Sequence, residues 1–175
     1  MKPAKFNYEK PTDLRTAIDL LAQSDGEARV LAGGQSLMPM LNMRYVLPDD
    51  VIDLNKVAEL TFLREAGSVL EIGAMTRQRE LEYSKGVAAL CPLMREAILH
   101  VGHRQTRNRG TLAGSLCHLD PSAELVSVAT AMGAVVTLRP SCRLPAPAGD
   151  VPGCYDRITG GRGRSECSLE KASLV

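Results

Sequence analysis

Aromatic residues make up only 3% of the 175-residue sequence, and tryptophan is absent. Single-stranded nucleic acids are usually bound by stacking on aromatic side chains, so this class of ligand is disfavoured. The net charge of +1 also excludes a strong electrostatic field toward nucleic acid or a membrane surface. No apolar stretch approaches the ~20 residues of a membrane span, and no signal-peptide pattern opens the chain, so we expect a cytoplasmic protein.

The cysteines do not form a pattern that binds metal or builds a disulfide framework. There are five of them, widely spaced, and no C-x-x-C motif occurs. An odd count without a secretion signal argues against structural disulfides, and the missing motif argues against zinc or iron–sulfur sites. No Ser–His–Asp arrangement or acid–base pair stands out either. We therefore expect neither a metal ligand nor a catalytic side chain on this chain.

A run of small residues follows an apolar segment, residues 28–31, that is predicted to be a β-strand. The run consists of Ala32, Gly33, Gly34, Gln35 and Ser36, and a helical turn is expected behind it. Glycines allow backbone N–H groups to approach a ligand, and successive N–H groups form a concave nest for negative oxygens. The alternative is a tight strand–helix turn without a ligand.

A second run has the same character and is predicted to be a strand through residue 116. It consists of Thr111, Leu112, Ala113, Gly114 and Ser115. Two separate glycine and hydroxyl runs suit a ligand with two phosphates better than either run alone. No G-x-G-x-x-G occurs, so a Rossmann-type NAD site is disfavoured.

Several motifs together resemble the FAD-binding medium subunit of molybdenum hydroxylases, the group that includes aerobic carbon monoxide dehydrogenase and xanthine dehydrogenase. The matching stretches are residues 1–3 (MKP), 32–37 (AGGQSL), 72–77 (IGAMTR), 107–115 (RNRGTLAGS) and 118–124 (HLDPSAE). They occur in the family's order and spacing, and the resemblance covers roughly residues 1–139.

The resemblance implies FAD as cofactor and assigns roles to both runs. Residues 32–36 would contact the pyrophosphate through backbone N–H groups and the Ser36 hydroxyl. Residues 111–115 would line the flavin–ribityl side and share the phosphates. Glu124 would hold a polar end of the cofactor; its alternative role is that of a first-turn acid favouring the helix dipole. Asp120 is predicted to be a helix N-cap followed by Pro121 at the first helical position. Replacing Gly33 by Val is predicted to weaken FAD binding by blocking backbone approach.

The expected fold is α/β (α+β), the two-subdomain FAD-binding fold of the PCMH type that the resemblance implies. Residues 1–56 are predicted to form the first subdomain, with a helix capped by Thr12 and its phosphate loop at a strand end, where α/β folds usually bind ligands. Residues 57–139 are predicted to form a partial second subdomain that opens with a β-hairpin around residues 66–68.

Residues 140–175 differ in composition from the rest of the chain. They hold four of the ten prolines and three of the five cysteines, and their apolar residues follow neither a period of 2 nor one of 3.6. Such a segment buries little apolar surface against its ordering entropy. We expect a divergent, mostly disordered tail in a chain truncated after about residue 139; the alternative is an unusual ordered tail.

Three functions remain open at this point. By resemblance, the chain is a flavin subunit that relays electrons from the [2Fe–2S] clusters of a small subunit to NAD or another acceptor. A molybdopterin-containing large subunit would then oxidise the substrate. The second possibility is a truncated, non-catalytic remnant that binds FAD weakly or only partner subunits. The third is a nucleotide-binding module without a redox role.

Overall fold

The computed structural model describes residues 1–140 and 153–160, with the backbone alone for residues 139, 140 and 153–160. Within this part of the chain the fold combines a small parallel sheet, an antiparallel sheet, eight α-helices and two short 3-10 helices. None of the helices described is long and apolar enough to cross a membrane.

The parallel sheet comes from the amino-terminal third of the chain. Its strands are β1 (Asn7–Glu9), β2 (Ala28–Leu31) and β3 (Asp50–Asp53), in the order β1-β3-β2. Helix α1 (Leu14–Gln23) connects β1 to β2, and helix α2 (Leu37–Asn42) follows β2. The cap of α1 is Asp13 rather than Thr12, because the Asp13 carboxylate accepts the Thr16 N–H at 2.8 Å.

The antiparallel sheet contains the predicted hairpin, which is confirmed. Strands β4 (Leu63–Ala66) and β5 (Val69–Gly73) pair across a turn at Gly67, whose φ of 63° is readily adopted only by glycine. Strands β6 (Val135–Pro140) and β7 (Gly153–Gly160) complete the sheet in the order β4-β5-β7-β6.

Strand β7 lies inside the segment that is predicted to be a disordered tail. Its backbone pairs with both β5 and β6, so residues 153–160 form a strand and are not part of a disordered tail as predicted. Because two neighbouring strands supply its hydrogen-bond partners, β7 forms without a periodic pattern of apolar residues in its own sequence. The rest of the predicted tail, residues 141–152 and 161–175, lies outside the described residues.

The remaining helices lie between the two halves of the antiparallel sheet in the sequence. Their bounds are Gln78–Tyr83 (α3), Lys85–Leu90 (α4), Pro92–His100 (α5), Arg104–Arg109 (α6), Leu112–His118 (α7) and Glu124–Ala131 (α8).

Two of these helices correct the sequence predictions. The strand predicted over residues 111–116 is wrong, since α7 occupies this stretch. Helix α8 begins at Glu124, not at Pro121, because the Asp120 carboxylate accepts the Ser122 N–H at 2.9 Å and closes a local turn instead.

Apolar side chains form two buried clusters. The larger one packs β5 against helices α3, α4, α5, α7 and α8, with Leu81 and Ile98 fully buried. The smaller one joins Leu14 and Ile52 of the amino-terminal third to Ala74, Met75 and Ala113. The predicted boundary at residues 56 and 57 therefore runs through a shared core. This core fixes the segment that carries residues 111–115 against the parallel sheet.

Candidate functional site

The first glycine run, residues 32–36, lies at the carboxyl end of β2 and leads into α2. Gly34 adopts a φ of 71°, in the left-handed region that favours glycine. The backbone N–H groups of residues 33–36 donate to no acceptor within the described part of the chain. Four successive free donors beside a left-handed residue are typical of an anion-binding nest.

The side chains of this run add few hydrogen-bond donors to those of the backbone. The Gln35 amide donates to the Gly33 carbonyl at 3.1 Å, which braces the turn. The half-buried Ser36 precedes α2, but its hydroxyl does not cap that helix. Its hydroxyl therefore remains available for a ligand.

In the second run, the N–H groups of residues 112–115 already donate to acceptors within the fold. Thr111 caps α7 by accepting the Gly114 N–H at 3.1 Å. The N–H groups of Leu112 and Ala113 donate to the Thr76 and Ala74 carbonyls, at 3.1 and 3.2 Å. Thr111, Leu112 and Ala113 are buried. These donors are therefore not free for a ligand, and the predicted contact of residues 111–115 with the cofactor stays a prediction.

Gly114 and Ser115 are the members of this run that are partly exposed. The Ser115 N–H donates to the Thr111 carbonyl within the helix. The Ser115 hydroxyl remains as a polar group of this run. Residues 111–113 serve as a support that anchors the run to residues 74–76.

The structure confirms that the two runs lie side by side. A Cβ atom on Gly33 would be 2.5 Å from the Arg109 carbonyl oxygen and 2.8 Å from Gly110 Cα. A Cβ on Gly114 would be 3.6 Å from that of Ala32. Gly33 is thus required for the approach of one protein segment to another, whereas the sequence interpretation had the ligand as the approaching partner.

A cleft of about 400 Å³ opens beside the glycine run at the edge of the parallel sheet. This volume is within the range of ordinary ligand sites. Two cations, Arg109 and Lys10, are among its lining residues; Arg109 is exposed and forms no ion pair within the described residues. The full lining comprises Phe6, Tyr8, Lys10, Leu31, Ala32, Gly33, Gly34, Met38, Val51, Asp53, Asn55 and Arg109.

A buried carboxylate, Asp53, organises the floor of this cleft. Tyr8 donates its hydroxyl to Asp53, the Asn55 N–H donates at 2.8 Å, and Lys10 Nζ lies 3.4 Å away. Burial by itself raises the pKa of Asp53, but these hydrogen bonds and the Lys10 charge outweigh it and hold the pKa below its usual value. The same hydrogen bond, with burial, raises the pKa of Tyr8 to about 12, so Tyr8 remains a donor.

Glu124 is not brought to the cleft lining. It lies half-buried in the first turn of α8 and forms no ion pair within the described residues, as in the helix-dipole interpretation. Its predicted contact with the cofactor stays a prediction.

Sequence reasoning missed Tyr8, Lys10, Asp53, Asn55 and Arg109 as cleft residues. One signal was present: Asp53 and Asn55 are polar residues directly at the carboxyl end of a buried strand, where α/β folds place ligand contacts. Within the described residues no group of histidine, cysteine or acidic side chains could hold a metal ion.

The fold and the site together define an α+β protein with a candidate anion-binding nest at the carboxyl end of a parallel strand. The chain belongs to the family described as the FAD binding domain in molybdopterin dehydrogenase, whose model matches residues 4–145. This assignment confirms the predicted family and FAD as its cofactor.

The relatives are subunits of multi-subunit dehydrogenases. Caffeine dehydrogenase subunit beta of Pseudomonas sp. (strain CBB1) is 42% identical over 134 residues, which cover 77% of this chain and 45% of the relative. The carbon monoxide dehydrogenase medium chain of Hydrogenophaga pseudoflava is 39% identical over 149 residues, covering 85% and 52%. The chain thus spans about half the length of these curated relatives.

Solved structures confirm the predicted fold class. Carbon monoxide dehydrogenase from Hydrogenophaga pseudoflava superposes with a TM-score of 0.82 at 32% identity, over 92% of this chain and 60% of that one. Quinoline 2-oxidoreductase from Pseudomonas putida 86 gives a TM-score of 0.81 with the same identity and coverage.

The residues at the cleft fit FAD. Pyrophosphate oxygens need hydrogen-bond donors and positive charge; residues 33–36 offer four unbonded N–H groups, and Arg109 and Lys10 are cationic residues of the same cleft. The close contact of Gly33 with the Arg109 backbone leaves no room for a side chain that would separate these donors.

Proposed function

We propose that this chain binds FAD and acts as the flavin subunit of a molybdenum hydroxylase. In this role it passes electrons from the [2Fe–2S] clusters of a partner subunit to NAD or another acceptor. The observation that carries the proposal is the row of four unbonded N–H groups at residues 33–36, held against the Arg109 backbone. The family membership and the dehydrogenase-subunit relatives support it.

The chain's contribution is binding and placement, since bound FAD supplies the redox chemistry itself. The N–H groups of residues 33–36 and the Ser36 hydroxyl donate to the pyrophosphate. Arg109 neutralises part of the negative charge of the pyrophosphate, and the Ser115 hydroxyl donates to the neighbouring part of the cofactor. Glu124 accepts hydrogen bonds from hydroxyl groups of the cofactor's sugar portion.

The proposed partners are a molybdopterin-containing large subunit, where the substrate reacts, and a small subunit with two [2Fe–2S] clusters. The names of the relatives support this arrangement. They include the medium chains of carbon monoxide dehydrogenase and glyceraldehyde dehydrogenase and the medium subunit of nicotine 6-hydroxylase.

Purification of the chain with its partner subunits tests this function. Flavin absorbance that stays with the protein through gel filtration is expected, because bound FAD must travel with the chain. Colourless protein that still captures the cluster subunit would contradict FAD binding and favour the non-catalytic remnant. Tight ADP binding without flavin uptake would favour the nucleotide module.

A further inference from the structure

A chain of side-chain hydrogen bonds joins the two runs from behind. Asn55 donates its Nδ2 amide to the Ala32 carbonyl at 2.9 Å, at the beginning of the glycine run. The Asn55 Oδ1 atom accepts from the Arg77 guanidinium. Arg77 in turn donates its other terminal nitrogen to the Arg109 carbonyl, the same oxygen that Gly33 approaches.

These contacts form a closed circuit through four separate segments of the chain. It runs from Ala32 through Asn55 and Arg77 to Arg109 and returns across the contact with Gly33. The orientation of Asn55 is fixed, since arginine only donates and must therefore face Oδ1, which leaves Nδ2 for the carbonyl of Ala32. Asp53 also accepts from the Asn55 Nδ2 group and holds this amide from its other side.

Arg77 is well suited to the bridging position. Its planar guanidinium carries donors in a fixed fork, so it reaches two acceptors on different segments at once; lysine has a single nitrogen and no fork. Its backbone forms a bridge to Thr111, and the side chain is half-buried. Arg77 does not line the cleft beside the glycine run, so it acts on that cleft only through Asn55 and Arg109.

We propose that Asn55 and Arg77 are positioning residues that set the spacing between the glycine run and the Arg109 backbone, and thereby the affinity for FAD. The inference rests on the proposed function. Without the bridge, the N–H groups of residues 33–36 lose their fixed separation from the Arg109 backbone. The cleft lined by both segments then holds a pyrophosphate less tightly.

The test compares Arg77→Lys and Asn55→Ala with Arg79→Lys as a matched control, in the full chain. Arg79 lies two residues away, is also half-buried, and bonds Asn108 at 2.7 Å outside the circuit. FAD affinity is measured by quenching of flavin fluorescence, stability by thermal unfolding without FAD, and the phosphate environment by the 31P chemical shift of bound FAD.

Arg77→Lys and Asn55→Ala are each expected to raise the dissociation constant about tenfold or more, equivalent to ~1.4 kcal/mol. They should also shift the 31P signal, whereas Arg79→Lys should change neither. The double variant should be little worse than the weaker-binding single variant, because either change opens the same circuit.

Dissociation constants within about twofold of wild type for both variants would overturn the inference. So would affinity that falls only in step with thermal stability while the 31P signal stays in place. If Arg77→Lys fails to fold, Asn55→Ala decides alone. A wild-type chain that binds no FAD would instead overturn the proposed function, and this inference with it.

Discussion

Replacing Gly33 by Ala is the smallest change that tests how the two runs meet. The new methyl group would lie 2.5 Å from the Arg109 carbonyl oxygen, 2.8 Å from Gly110 Cα and 3.1 Å from the Arg109 carbonyl carbon. All three atoms belong to the backbone, so no side-chain rotation relieves the contact. The glycine run and the Arg109 segment must move apart.

The magnitude follows from the cost of overpacking. Inserting a methyl group into a filled space costs about 1–3 kcal/mol. If the two segments relieve most of this contact by moving apart, FAD must pull them together again on binding, and its binding free energy is reduced by that amount. A reduction of 1.4 kcal/mol corresponds to about a tenfold rise in the dissociation constant. We therefore expect the FAD dissociation constant of Gly33→Ala to rise about 10- to 100-fold, and that of Gly33→Val to rise further.

Fluorescence titration of FAD measures this change, with Gly67→Ala as the control. Gly67 has a φ of 63° and open space where a Cβ would lie, so its substitution costs backbone strain of about 1–2 kcal/mol far from the cleft. It should lower stability and leave FAD affinity unchanged. A Gly33→Ala chain that binds FAD as tightly as wild type would refute the proposed contact between the runs.

Three further changes test other parts of the structure. Arg109→Gln should weaken FAD binding and reduce the salt dependence of that binding, because one screened charge is lost. The same FAD affinity in variant and wild type, at low salt and at high salt, would contradict this. Glu82→Gln should lower the free energy of unfolding by about 3–5 kcal/mol in urea titrations, because it leaves Arg107, 2.9 Å away with only 12% of its side chain exposed, without its counter-charge. A loss under about 1 kcal/mol would rule out a strong pair. The pKa of Asp53 is lowered in the folded protein. Its charge therefore stabilises the fold at pH values above the ordinary pKa near ~3.9, and this contribution is lost as the pH falls through the lowered pKa of the folded state. Asp53→Asn should therefore be less stable than wild type at neutral pH, with the difference shrinking in acid; a pH-independent difference would argue against this linkage.

Local features of the fold could be predicted from the sequence. The β4–β5 hairpin depends on neighbouring residues, and it is confirmed. The strand assigned to residues 111–116 failed because Gly114 and Thr111 are weak helix formers by intrinsic propensity. The cap from Thr111 to the Gly114 N–H and the burial of Leu112 override that preference, and neither is visible in a local window.

Each of the two runs could be found in the sequence because each is continuous there, and the family resemblance implied that both contact one cofactor. Asn55 and Arg77 could not be paired in this way, since they are 22 residues apart and meet through strand order and a shared core. Tyr8 and Asp53, 45 residues apart, meet only because β1 lies next to β3 in the parallel sheet.

The four unbonded amides of residues 33–36 also make the turn a reporter of its own occupancy. Amide hydrogens without an internal acceptor exchange rapidly with deuterium from the solvent, while those in a formed hydrogen bond are protected. In the free chain this turn should label within the dead time of the experiment, whereas the bonded amides of Leu112 and Ala113 label slowly. A bound anion that accepts these hydrogens would slow labelling at the turn alone, so mass spectrometry of one short peptide can reveal whether the nest is filled.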